Sequence, residues 1–71
     1  MLWEYDIKYG EPIWVVYLGQ DERLEVQQDF ECFHPIIVLQ HYIEQTETFY
    51  DLESAKHYAE ERYHELMQGL G

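Results

Sequence analysis

The sequence predicts an α+β domain: an antiparallel β-meander of three to four strands with one C-terminal α-helix packed on one face. Three observations predict this fold. Apolar and polar residues alternate along the first part of the chain, as they do in half-buried strands. Turn-forming residues separate the alternating segments, and the last part has the 3.6-residue apolar period of a helix. With 71 residues, the chain is predicted to form a single domain, residues 1–71.

The first two strands are predicted at residues 2–9 and 13–18. Between residues 2 and 9, large apolar side chains alternate with Glu4, Asp6 and Lys8, which is the period of two of a strand with one buried face. The three residues that follow include a glycine and a proline and indicate a turn. The second strand is apolar on both faces, so both faces are expected to pack against other parts of the protein or a partner.

The third and fourth strands are predicted at residues 23–33 and 36–43. Alternation in the third strand is looser and suggests a bulge near Gln27, and Pro35 is predicted to end this strand. Residues 36–43 are apolar on both parities and rich in β-branched side chains, which favours a strand. The alternative for this segment is a short helix with Pro35 at its first position.

The helix is predicted at residues 52–68. Asp51 is a good N-cap residue and Gly69 a good C-terminal stop. Between them, apolar residues recur on one stripe, which predicts that this stripe is buried against the sheet. The opposite stripe, predicted to face solvent, contains Glu53, His57, Glu60, Glu61 and His64.

Charge is the most unusual feature of the sequence. Fifteen Asp and Glu residues face four Lys and Arg residues, which gives a formal net charge of −11. Such a field repels phosphates and anionic lipid headgroups, so we expect neither direct nucleic-acid binding nor membrane binding. It attracts a basic protein surface, which is the predicted partner. The carboxylates predicted to contact that partner are Asp21, Glu22, Glu25, Glu53, Glu60 and Glu61.

The function expected from this charge is that of a small acidic protein-binding module, with a DNA-mimic inhibitor of a basic nucleic-acid-binding protein as its sharpest form. In size and charge the chain resembles small acidic phage-encoded inhibitors of restriction or CRISPR complexes. A folded chain of this mass has roughly 4,700 Å² of surface, or ~300 Å² per carboxylate. Duplex DNA has one charge per ~110 Å². Mimicry therefore requires most of the carboxylates to gather on about a third of the surface.

The alternative function is a regulatory or antitoxin-like interaction domain that forms a homodimer through an apolar sheet face. One helix covers only one side of a sheet, whereas the second strand is apolar on both sides. We expect Trp14, Val16 and Leu18 to lie on the uncovered side, where a contiguous apolar patch would mark an interface.

Catalysis is not predicted. Cys32 and His34 would share a strand face, but a nucleophile and its base also need a third group that orients the base, and none is identifiable. His57 with Glu61, and Glu60 with His64, have the i,i+4 spacing of helical metal ligands, yet the remaining ligands are lacking. The sequence thus predicts no enzyme activity, no cofactor and no metal.

A cytoplasmic location is expected. Cys32 is the only cysteine, so the chain forms no internal disulfide, as is usual in a reducing compartment. The amino terminus lacks the basic and apolar segments of a signal peptide. The longest aliphatic run, residues 36–39, is far too short to cross a bilayer.

Overall fold

The computed structural model describes residues 1–45 and 47–70. Five strands form one antiparallel sheet in sequence order, and a single helix follows. The elements are β1 (Glu4–Lys8), β2 (Glu11–Gly19), β3 (Glu22–Asp29), β4 (Cys32–Leu39), β5 (Tyr42–Glu44) and α1 (Leu52–Leu70). The predicted antiparallel meander with a packed C-terminal helix is therefore confirmed.

The structure has five strands and not the predicted three to four, and α1 continues through Gly69, the predicted stop, to Leu70. The strand boundaries differ most from the prediction in the second half of the sheet. The segment predicted as one strand, residues 23–33, contains a turn at residues 30–31 that separates β3 from β4. The segment 36–43 contains a second turn, at residues 40–41, that separates β4 from β5. The helical alternative for that segment is wrong. Neither turn contains the Gly, Pro or Asn residues that usually indicate a reversal of the chain.

Pro35 lies inside β4 and does not end a strand, contrary to the prediction. Phe33 exchanges both of its main-chain hydrogen bonds with Phe49. Because main-chain groups alternate in direction along a strand, the nitrogen of Pro35 points to that same edge of β4. There β5 pairs only with residues 37–39. The missing N–H of proline therefore interrupts no ladder hydrogen bond.

Two of the hairpin turns place an aromatic residue in left-handed backbone geometry. Tyr9 has φ 53° and Gly10 has φ 80°, and positive φ at both central residues is what a type I′ turn requires. Phe30 has φ 57° at the first position of the next turn at this end of the sheet, the pattern of a type II′ turn. Asp21, at the opposite end, has φ 61°.

The main core lies between the sheet and α1. Its buried residues are Val16, Leu24, Ile37, Leu39 and Ala59, and Trp3, Leu18, Tyr63, Leu66 and Met67 pack around them. The expectation that Trp14, Val16 and Leu18 lie on the uncovered side is therefore wrong. These three residues share the face of β2 that lies on the side of the helix. Val16 and Leu18 pack in the cluster, and the half-buried Trp14 contacts the rings of Tyr5 and Phe33. Because both faces of β2 are apolar, the sequence pattern did not indicate which one the helix covers.

Polar contacts stabilise the start of α1 and attach the amino-terminal segment to it. Asp51 caps α1, because its Oδ2 accepts hydrogen bonds from the Ser54 N–H at 2.8 Å and the Ser54 hydroxyl at 2.9 Å. These bonds lower the pKa of Asp51. Near the amino terminus, the Trp3 indole donates a hydrogen bond to Glu60 at 2.8 Å. The segment before β1 is thereby attached to the helix.

β1 is a free edge of the sheet, and all five of its residues are exposed, so the buried face predicted from its alternation is wrong. Charged residues occupy three of the five positions: Glu4, Asp6 and Lys8. The Asp6 side chain also accepts a hydrogen bond from the Ile7 N–H at 2.8 Å. One main-chain donor of this edge is thus already satisfied within the strand.

Arg62 of α1 and Glu44 of β5 form a bidentate ion pair. Nε of Arg62 lies 2.7 Å from Oε2 of Glu44, and Nη2 lies 2.8 Å from Oε1. The Tyr42 hydroxyl donates a further hydrogen bond to the same carboxylate. Glu44 is buried. The Arg62 hydrogen bonds, and then that of Tyr42, lower the pKa of Glu44 from its ordinary 4.5 although burial opposes this. The pair joins the short last strand to the helix.

Replacing Glu44 with glutamine is expected to lower the free energy of unfolding at neutral pH, because Arg62 loses its charged partner. The folded-state pKa of Glu44 lies below 4.5, so its stabilising contribution is complete above that pH and is lost as pH falls through the folded value. The difference between wild type and variant should therefore shrink in acid. Urea unfolding at pH about 7 and at pH about 3 measures this difference in the free energy of unfolding. Glu31→Gln, at an exposed position, is the control, and a difference that is constant with pH would contradict the expectation.

Candidate functional site

Most of the positively charged side chains of the chain form ion pairs within the molecule. Three of the four Lys and Arg side chains form ion pairs, with N–O distances of 2.6 Å for Arg23–Glu25, 2.7 Å for Arg62–Glu44 and 3.3 Å for Lys56–Glu53. The fourth, Lys8, lies 5.9 Å from the centre of the Tyr9 ring. Most carboxylates in the described part of the chain therefore face solvent without a cation, and the outer field is negative.

The carboxylates predicted as contacts on β3 fall into two environments. Asp21 and Glu22 lie at the turn between β2 and β3, as their spacing suggested. Glu25 does not lie with them at the surface. It is in the middle of β3, pairs with Val15 and Ile36 on the flanking strands, and is 3% exposed. Glu25 therefore adds little to the outer field.

The three predicted carboxylates of α1 each have a partner within the chain. Glu53 contacts Lys56, Glu60 accepts the Trp3 indole hydrogen bond, and Glu61 lies 2.9 Å from Nε2 of His57. Glu53 and Glu60 line one shallow depression of about 540 Å³. Glu25 lies in the row of Val15 and Ile36, on the face of the sheet opposite the helix. The sequence-predicted acidic residues thus do not form one surface.

The aromatic tip is the surface that the structure adds to the predicted sites. We define it as the end of the sheet that carries Tyr9, Glu11, Asp29, Phe30 and Glu31. Tyr9 is 93% exposed and Phe30 is 91% exposed. A depression of about 320 Å³ is lined in part by Glu11, Asp29 and Phe30, so the two turns adjoin. None of the three carboxylates of the aromatic tip contacts a Lys or Arg side chain in the described structure.

The fold gives no reason for aromatic residues at these two turns. Bulky residues with positive φ are outliers that cost on the order of 1–3 kcal/mol, and such strain occurs preferentially at binding sites. Tyr9 and Phe30 bury almost nothing in return. Aromatic side chains are enriched in protein–protein interfaces. In the sequence, the feature that points to this site is Phe30 at a turn position that favours glycine. This mismatch can be recognised only when the position of the turn is known.

The open face of the sheet lies opposite α1. Its central row is Val15, Glu25 and Ile36, and all three residues are buried. The exposed apolar side chains of this face are Tyr17 and Ile43. On this face, Tyr17 and Ile43 are therefore the apolar residues available for contact with another chain. On the other face, the exposed Tyr5 and Ile7 of β1 lie opposite the half-buried Trp14 and Pro12 of β2.

The remaining chemistry-bearing residues form no further site. Nδ1 of His34 lies 3.4 Å from the Thr48 hydroxyl. Within residues 1–45 and 47–70, no three or more His, Cys, Asp or Glu side chains converge in a way that would hold a metal ion. Over the same residues, no helix has both the length and the apolar character needed to span a bilayer. No protein-family model, curated protein or solved structure matches the chain.

Proposed function

We propose that this protein is a small binding module whose partner presents a basic protein surface, with the aromatic tip at the centre of the contact. One observation carries the proposal. Three carboxylates that form no ion pair in the described structure lie at the same end of the sheet as two aromatic side chains that are almost fully exposed on strained turns, and Lys8 lies near the ring of one of them, Tyr9. Such a surface is complementary to a partner that offers positive charge around an apolar or cation–π contact.

The charge and the aromatic residues would act at different ranges. The net charge of −11 steers a basic partner and raises the association rate, and it disfavours acidic competitors. Tyr9 and Phe30 supply the short-range contact, since aromatic side chains bury large areas and dominate interface energetics. Residues of this kind are typical of the small group that provides most of the binding energy in an interface.

The partner proposed in particular is a nucleic-acid-binding protein, whose phosphate-binding surface is strongly basic. The molecule has 4,910 Å² of accessible surface, or about 330 Å² for each of its fifteen carboxylates, against ~110 Å² per charge for duplex DNA. Carboxylates lie at both ends of the sheet as well as on the helix. The carboxylates are therefore spaced too widely to imitate duplex DNA. As an inhibitor, the protein would bind the basic surface through the carboxylates gathered at the aromatic tip.

Affinity capture with charge variants tests the proposal. The immobilised protein is exposed to lysate of the cells that produce it. The tip variant is Glu11→Gln, Asp29→Asn, Glu31→Gln, and the control Glu53→Gln, Glu61→Gln, Glu65→Gln removes the same charge from the helix. We expect wild type and control to retain a basic protein at about 0.1 M salt, the tip variant to bind it about tenfold less, and retention to fall towards 1 M salt, where the Debye length shrinks from ~10 Å to ~3 Å.

Two results would contradict this proposal. Equal losses in the tip variant and the helix control would mean that the net charge, and not the aromatic tip, attracts the partner. Retention that is insensitive to salt, or a retained protein that is not basic, would mean that apolar contact provides the affinity.

The second proposal is a regulatory module that forms a homodimer through the open face. Exposed Tyr17 and Ile43 favour it, whereas the mutual repulsion of two chains with a net charge of −11 opposes it. Sedimentation equilibrium at about 1 M salt, where the repulsion is screened, separates the two proposals. A monomer under those conditions contradicts the dimer.

A further inference from the structure

We infer that the free edge of β1 is a docking strand, which binds an extended segment of the basic partner as an additional strand of the sheet. The segment that fits has basic and apolar side chains in alternation. The inference rests on the proposed function for the charge of the partner, and it adds a contact surface next to the aromatic tip. Its basis is an unpaired edge that lies between two rows of exposed side chains of different chemistry.

The main-chain groups of Tyr5 and Ile7 point away from the sheet. Ile7 lies opposite Pro12 on β2, and because proline has no N–H, this pair cannot exchange two hydrogen bonds. The two kinds of pair alternate along an antiparallel ladder, so the pair of Tyr5 with Trp14 is also not hydrogen-bonded. The acceptor of the Ile7 N–H agrees with this direction, since it is the Asp6 carboxylate at 2.8 Å. In the described part of the chain, no strand pairs with this edge.

On the helix side, the side chains of β1 form an uncovered apolar row. In the described structure, the backbone of α1 approaches β3 and β4 closely, but neither β1 nor β2. Tyr5 and Ile7 are 59% and 61% exposed, and the Tyr5 ring lies 5.3 Å from that of the half-buried Trp14. An added strand places its side chains ~4.5–5.5 Å from the residues directly opposite. Apolar side chains at those positions would therefore cover Tyr5 and Ile7.

On the other side, β1 presents carboxylates. Glu4 and Asp6 are exposed, and neither forms an ion pair within the described residues. Opposite charges on directly opposed residues stabilise a pair of strands, and like charges destabilise it. Lys or Arg is therefore favoured opposite Glu4 and Asp6, and a neutral residue is favoured opposite Lys8. Because side chains alternate between the faces of a strand, the two rows together specify an alternating basic and apolar segment.

The Asp6 side chain satisfies the outward N–H of Ile7 in the free protein. This hydrogen bond is local and exposed, so an added strand can replace it with a ladder hydrogen bond to the same N–H. The carboxylate that is released can then contact a basic side chain opposite it. A strand without a basic residue at that position breaks the local bond and gives the carboxylate no new partner. Asp6 therefore favours basic strands over neutral or acidic ones.

A second copy of this chain fits the edge less well than a basic strand. Two β1 strands can pair antiparallel about Ile7, which would place Asp6 opposite Lys8 of the copy. The copy also brings a further net charge of −11, and this repulsion is screened only at high salt. A basic segment forms favourable charge pairs without that repulsion. The edge is therefore assigned to the basic partner.

Nuclear magnetic resonance titration of the ¹⁵N-labelled full chain tests the docking strand. The probe is the acetylated and amidated peptide Thr-Val-Lys-Val-Lys. In antiparallel register, its two valines lie opposite the apolar residues of β1, and its two lysines lie opposite Asp6 and Glu4. The matched probe, Thr-Val-Glu-Val-Glu, keeps the alternation and reverses the charge. We expect the basic probe to shift the amides of β1 and β2 in a saturable manner, and the acidic probe to cause no saturable shift.

Probes with methylated main-chain nitrogens distinguish strand pairing from attraction by charge alone. Methylation of both valine nitrogens removes the donors that would face β1, and we expect it to weaken binding at least about tenfold. Methylation of both lysine nitrogens, which would face away from β1, leaves the charge and the composition unchanged. It should weaken binding by less than about threefold.

Ile7→Pro tests the same pairing through the protein. Proline removes the outward N–H of this position and no hydrogen bond to β2, and edge strands tolerate it there. We expect it to weaken binding of the basic probe at least about tenfold. The control Ile7→Val retains the N–H and should bind within about threefold of wild type. Dispersed amide spectra establish that each variant is folded, and if Ile7→Pro is not, the methylated probes decide the question.

Three results would overturn the inference. The first is no saturable shift up to about 20 mM basic probe, a concentration that detects millimolar dissociation constants. The second is equal binding of the two methylated probes, and the third is equal binding by folded Ile7→Pro and Ile7→Val. Amide shifts of β1 that depend on protein concentration in the absence of a probe would assign the edge to a second copy and overturn it as well.

These failures are distinct from a failure of the proposed function. Lysate capture of a basic protein that is unaffected by Ile7→Pro removes the docking strand and leaves the function. Capture that yields no basic protein removes the function, and the peptide titration still decides whether the edge binds a basic strand.

Discussion

Replacing Leu24 with alanine is expected to leave the protein largely unfolded at room temperature. Leu24 has no exposed surface and lies at the centre of the cluster between the sheet and α1. Truncation of a buried leucine costs ~2.7–5 kcal/mol, of which part is due to the cavity that remains. Domains below ~70–80 residues rarely have more than ~3–5 kcal/mol of stability in total. Circular dichroism with urea unfolding measures the loss.

The matched control for this variant is Leu2→Ala, since Leu2 is 84% exposed. That change is expected to shift the free energy of unfolding by less than about 0.5 kcal/mol. If Leu24→Ala unfolds cooperatively at nearly the wild-type urea concentration, the core under the helix is not the main source of stability.

Replacing Phe30 with glycine is expected to change stability and binding in opposite directions. Glycine adopts positive φ without strain, so the variant should gain about 1 kcal/mol of stability, or roughly 4–8 °C in melting temperature for a domain of this size. The same change removes an exposed aromatic contact, and we expect the affinity for the basic partner to fall at least about tenfold. Thermal unfolding measures the change in stability, and affinity capture at low salt measures the change in binding of the basic partner.

Asp21→Gly is the matched control, because Asp21 also has positive φ but lies at the other end of the sheet. It should leave affinity within about threefold of wild type, as expected for one remote surface charge. A Phe30 variant that loses stability would show that the ring packs against the fold. One that gains stability and binds normally would exclude Phe30 from the contact.

Local patterns predicted those parts of the fold that local physics determines. Strict alternation identified β1, and the apolar stripe together with the Asp51 cap identified α1. The turn at Phe30 was missed because its residues have none of the usual turn chemistry. Its position is fixed by the whole register of β3 against β4, which extends from Asp29–Cys32 at the turn to Arg23–Val38 at the far end.

The candidate site depended even more on non-local pairing. Glu25 alternates with apolar neighbours in the manner of an exposed strand residue, yet it is buried because the register places it between Val15 and Ile36. Trp14, Val16 and Leu18 were correctly grouped on one face of β2. Which face the helix would cover depends on the direction in which the chain crosses the sheet after β5, and no short sequence pattern encodes that direction.

The edge formed by β1 also limits how this protein can aggregate. Growth of a cross-β stack needs a flat edge with free main-chain groups that add the same segment of another molecule, in repeat after repeat. In β1, the Asp6 carboxylate already accepts a hydrogen bond from the Ile7 N–H. In an in-register stack, the charged side chains of the strand would also lie beside identical charges. Concentrated samples should therefore remain free of fibrils even though Tyr5 and Ile7 are exposed on that strand.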